Sequence, residues 1–124
     1  MQTESHERPK VLSASSLAKD KVKNLNGETL GDIEDLMIDL DTGRIAYSVL
    51  SFGGVMGMGN KLFAIPWQAM SVDTDKKEFL LDVKKETLQK APGFAKNDWP
   101  DMSDPTWGAS IHTHYGVTPY WQKS

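Results

Sequence analysis

The feature that most constrains the fold is the stretch from Thr29 to Phe52, "TLGDIEDLMIDLDTGRIAYSVLSF". Its apolar residues recur every second position on both sides of Asp41-Thr42-Gly43. Period two is the repeat of a half-buried strand, and Asp-Thr-Gly is turn chemistry. The segment therefore reads as a long hairpin. Leu36, Ile38 and Leu40 alternate with Met37, Asp39 and Asp41. Ile33 is out of phase with Leu36, which predicts a bulge near Glu34-Asp35, the device that lets a strand curve into a barrel. On the second strand Ile45, Tyr47, Val49 and Ser51 are expected on one face, with Ala46, Ser48, Leu50 and Phe52 on the other.

The flanking sequence extends the same pattern. "VLSASSLAKDKV" predicts a short strand near Val11, a helical turn around Leu17 capped by Ser13 or Ser15, and a strand near Val22. Asn26-Gly27 is a hairpin signal. "KLFAIPW" reads as a strand that Pro66 ends or confines to a sheet edge. "MSVDTDKKEFLLDV" is a second hairpin turning over 73–77, and "KKETLQKAP" is a short amphipathic helix stopped by Pro92. From Ala91 to Trp121 the character changes. This stretch holds four prolines and six of the eleven aromatic residues, with little period. It reads as irregular, yet Phe94, Trp99, Trp107, Tyr115, Tyr120 and Trp121 require something to pack on.

Between the hairpin and "KLFAIPW" lies "GGVMGMGN". The spacing of Gly54 and Gly59 matches the first part of a phosphate loop. However, Lys61 comes one residue late, Leu62 replaces the metal-binding hydroxyl, and a strand rather than a helix follows. The stretch reads as a connection between strands, with Val55, Met56 and Met58 as an adaptable apolar contact surface. Other chemistries fail on similar grounds. "DLDTGR" lacks an EF-hand's ligands at Gly43 and Leu50. In an extended segment His112 and His114 would share a face, but a metal site needs three or four ligands. His6 is remote, and Asp101 or Asp104 would have to fold back. Glu34 and Asp35 are adjacent on a strand and point apart. The sequence contains no nucleophile elbow. No catalytic residue, cofactor or metal is expected, and the chain is not expected to be an enzyme.

Charge excludes further classes. Fourteen basic residues stand against seventeen acidic ones, a net charge of −3, and the basic residues are scattered, which argues against nucleic acid as partner. There is no cysteine, and no apolar run approaches the ~20 residues of a membrane span. Cytoplasmic location without membrane insertion is the expectation.

Several of these segments together are similar to a known family. "LGDIEDLMID", then "GRIAYSVLSFGG", then "GNKLFAIPW" resemble the PRC-barrel family over about Val11 to Val83. "APGFAKNDWPDMSDPTW" with "HYGVTPYW" looks like the C-terminal extension of its stand-alone bacterial members. The resemblance implies a mainly β fold: a small, strongly bent β-barrel with one short helix and an irregular, aromatic-rich C-terminal extension. It also implies a role in protein contacts and assembly, with no shared catalytic residues. The expected organisation is a disordered leader over 1–10, the barrel over 11–83, and a helix and extension packing on the barrel over 84–124. The expected function is a non-catalytic interaction or assembly module. It is expected to be homodimeric, with an unidentified protein as a further candidate partner, and Val55, Met56, Met58, Trp107 and Trp121 are the candidate protein-contact residues. The alternative is a small-molecule or metal sensor using the C-terminal histidines and aromatics.

Overall fold

The computed structural model describes residues 11–52 and 61–122. Val55, Met56, Met58 and the leader lie outside the described residues. The chain runs α1 (Ala14–Leu17), β1 (Lys21–Lys23), β2 (Thr29–Ile38), β3 (Ile45–Phe52), β4 (Lys61–Pro66), a 3₁₀ turn (Trp67–Ala69), β5 (Met70–Asp73), β6 (Glu78–Leu81), α2 (Lys85–Gln89) and α3 (Pro105–His114). The strands form one sheet in the order β4-β3-β2-β1-β6-β5. All pairings are antiparallel except β1 with β6. The sheet curls into a half-barrel, bringing Phe63 and Ile65 of β4 into one apolar cluster with Phe79 and Leu81 of β6. Leu17 and Leu88, from α1 and α2, join the same cluster.

The curl begins where the phase break predicts it. The β2–β3 register shifts between Ile33 and Asp35, so Glu34 is the extra residue and Ile33 and Leu36 both reach the interior cluster. A second shift lies between Met37 and Ile38. Beyond it the alternation no longer points inward: Ile38 is 53% exposed and Leu40, in the turn, 92%. Val11 is also exposed and forms no strand.

β3 departs from one-sided burial, since every residue from Ala46 to Phe52 is buried. Leu50 and Phe52 face the barrel interior. Tyr47 and Ala46 belong to a second cluster with Ala64 and Ile111, formed where the C-terminal extension covers the outer face. The extension attaches first at the free edge of β4, where Leu62 and Phe94 exchange backbone hydrogen bonds of 2.9 and 2.8 Å. The bridge pairs the outward amide and carbonyl of Leu62 on an edge strand.

The extension is not irregular throughout, because residues 105–114 form α3. Asp104 is its N-cap and accepts from the Thr106 amide at 2.9 Å, with Pro105 at the first helical position. Pro there loses no bond and presets φ. At the other end Gly116 has φ +71. The Gly116 amide donates to Thr113 and the Val117 amide to His112, the Schellman arrangement that favours glycine. Among the described residues no helix is long and apolar enough to cross a membrane.

Candidate functional site

A groove of about 530 Å³ opens where the β2–β3 turn meets the C-terminal extension. One wall is the frayed end of β2 and its turn, from Met37 to Asp41. The other is Met102 to Pro105, leading into α3. Ala46, Tyr47, Tyr120 and Trp121 complete the lining. The register shift at Ile38 forms the first wall by turning Ile38 and Leu40 out of the core. The second wall is held by the Asp104 cap.

The turn wall is tied to the C-terminal segment across 81 residues of sequence. The Tyr120 hydroxyl donates to Asp39 Oδ2 at 2.5 Å. Asp39 Oδ1 accepts from the amides of Asp41 at 2.9 Å and Thr42 at 3.3 Å. The Tyr120 bond, helped by these amides, lowers the Asp39 pKa below the usual carboxylate value. Burial, and the Asp39 carboxylate it donates to, push the Tyr120 hydroxyl up. The Arg44 guanidinium lies 5.1 Å from the centre of the Tyr120 ring, within cation–π range.

Behind this wall sits His112, fully buried. Its Nδ1 lies 2.7 Å from the Gly108 carbonyl, so Nδ1–H donates. Nε2 is buried and has no hydrogen-bond partner among the described residues. The ring is packed edge-on against Tyr47 at 5.5 Å and Trp121 at 5.3 Å, and tilted against Tyr120 at 5.9 Å. Burial holds its pKa below the ordinary imidazole value, partly opposed by the Gly108 bond. Burial also raises Tyr47, to about 12.

The sequence-predicted residues separate here. Trp107 is half-buried against Tyr47 at 5.2 Å and anchors α3. Trp121 closes on His112 yet remains 44% exposed at the groove. The shared face expected of His112 and His114 does not exist. Two positions apart on a helix are about 200° apart, so one ring is buried and the other exposed. Among the described residues no group of three or more His, Cys, Asp or Glu is placed to hold a metal. Sequence reasoning missed Ile38, Leu40, Met102 and Tyr120. The available signal was Leu40, a large apolar residue set between two turn aspartates.

Asp39 already accepts three hydrogen bonds, and His112 is sealed beneath aromatic rings. The groove instead offers methionine, leucine, isoleucine and aromatic surface, the composition of an adaptable protein-contact patch.

Comparison with known proteins bears on one wall only. The model of the PRC-barrel domain family matches residues 9–88. No curated protein matches the chain. Among solved structures, the 16S ribosomal RNA processing protein RimM from Pseudomonas aeruginosa is similar at 19% identity with a TM-score of 0.42. That match covers 68% of this chain and 50% of the other, so the chain spans about half the length of that protein. The family match ends before the Met102–Pro105 wall and before Tyr120 and Trp121.

Proposed function

The chain belongs to the PRC-barrel domain family, and from that premise we propose that it is a non-catalytic protein-interaction module. Its contact surface is the groove between the β2–β3 turn and the C-terminal extension. The observation that carries this reading is the exposure of Ile38, Leu40 and Trp121 around one concavity. Large apolar side chains scattered singly on a surface need no explanation, but a cluster lining a groove does. Burying Leu40 alone would contribute about 1.5–3 kcal/mol to a complex.

The homodimer expectation drew on six extension aromatics in need of partners. Phe94, Trp99, Trp107, Tyr115 and Tyr120 are half-buried within the chain itself. Among the described residues Trp121, Ile38 and Leu40 are the exposed large apolar side chains that gather around the groove.

A photo-crosslinking residue at position 40, used in host lysate, tests the reading. A discrete adduct is expected that unlabelled protein suppresses and the Leu40→Ser/Trp121→Ala variant does not. The same residue at exposed Asp75 should give no such adduct. Identical labelling from both positions would defeat the proposal.

A further inference from the structure

The groove's electrostatics identify the chemistry of its occupant. Among the described residues three carboxylates line it, Asp39, Asp41 and Asp104, and no Lys, Arg or His does. Asp39 is held ionised by the Tyr120 hydroxyl and two amides. Asp41 stands on the turn wall and Asp104 on the facing wall, both exposed. Arg44, on the second strand beyond the turn, is engaged with the Tyr120 ring and carbonyl. An entering segment thus meets apolar surface at the floor and negative charge on both sides.

We infer that the groove takes a cationic, apolar-anchored segment of another protein, an aliphatic side chain seated against Leu40 and Trp121 with flanking Lys or Arg beside Asp41 and Asp104. This rests on the interaction reading above and assigns its partner class. A second copy of the chain is the poorer occupant. Symmetric pairing of this face would set the same carboxylates against one another, and like charges at an interface are costly. Trp121, 44% exposed, adds a ring on which a guanidinium or ammonium can rest.

The test uses the full chain and short fluorescein-labelled peptides read by fluorescence anisotropy. In one peptide leucines are flanked by lysines; in its control glutamates replace the lysines. The lysine peptide should bind, more weakly as salt rises, and the glutamate peptide should not. Asp41→Asn/Asp104→Asn should weaken binding roughly three- to tenfold, the worth of two exposed charge pairs. Asparagine still caps α3, so the fold is kept. Leu40→Ser should weaken binding by about tenfold or more. Neutralising two distant acids, Asp75→Asn/Glu86→Gln, should change it less than about twofold and so separates the groove from general attraction to an acidic protein.

Equal binding of both peptides, or indifference to Asp41→Asn/Asp104→Asn, overturns the cationic assignment. A dimer in light scattering that Leu40→Ser dissociates gives the groove to a second copy and also overturns it. If neither peptide binds while the position-40 adduct persists, the cationic assignment fails and the interaction reading stands.

Discussion

His112 is the residue on which the extension's packing converges, touching Tyr47, Tyr120 and Trp121 while bonded to Gly108. Its folded pKa lies below the ordinary value of 6.5. The unfolded chain therefore takes up a proton that the folded state refuses, and stability must fall as pH drops through about 6.5. The loss continues until the folded ring's own lower pKa is reached. Urea midpoints should decline from pH 7.5 to 5.5, and His112→Phe, which keeps a ring there, should flatten the decline. The shifts of Asp39 (lowered) and Asp20 (raised) depart from 3.8 in opposite directions and belong to the carboxylate range. A decline as steep in His112→Phe would place the effect elsewhere.

Gly108 beside it is a second residue-scale test. A Cβ there would stand 2.8 Å from both the Tyr47 hydroxyl and a Trp121 ring carbon. Alanine gains up to about 1 kcal/mol of helix propensity, against about 1–3 kcal/mol for overpacking. Gly108→Ala should thus lose stability on balance and expose Trp121, giving red-shifted tryptophan emission. None of this convergence was legible in the chain. The two histidines look alike in "IHTHYG", and only the helix decides that one is buried and the other exposed.

At the scale of elements, α3 builds the second wall, and its start depends on Asp104. Asp104→Ala should cost about 1 kcal/mol in denaturant unfolding and Asp104→Asn almost nothing. Tyr120→Phe removes the tie between the turn wall and the C-terminal segment. Amides of 117–122 should then exchange faster while those of β3 keep their rates. The strands were legible because each carries a local signature: the phase slip between Ile33 and Leu36, Asn26-Gly27, Asp41-Thr42-Gly43, and Pro66 at the end of an edge strand. α3 was hidden because Pro105 and Gly108 are punctuation in most contexts, although Asp104-Pro105 is also the cap and first position of a helix. The exposure of Ile38 and Leu40 was hidden as well, since a register shift at Met37 has no mark in an alternating pattern. The groove itself depends on contacts such as Asp39–Tyr120, 81 residues apart, which no local reading supplies.

For the whole molecule, the proposed contact groove depends on the C-terminal extension folding onto the barrel of its own chain. The barrel supplies the Met37–Asp41 wall, within the family match. Residues 102–105 and 120–121 supply the rest. Hydrogen exchange of the free, full-length protein at low concentration tests this most directly. If the extension is docked, the amides of Ile111 to Tyr115 exchange slowly, with protection comparable to that of the Tyr47–Leu50 segment of β3. If those α3 amides exchange at the rate of an unstructured chain while β3 stays protected, the second wall is absent, and the groove with it.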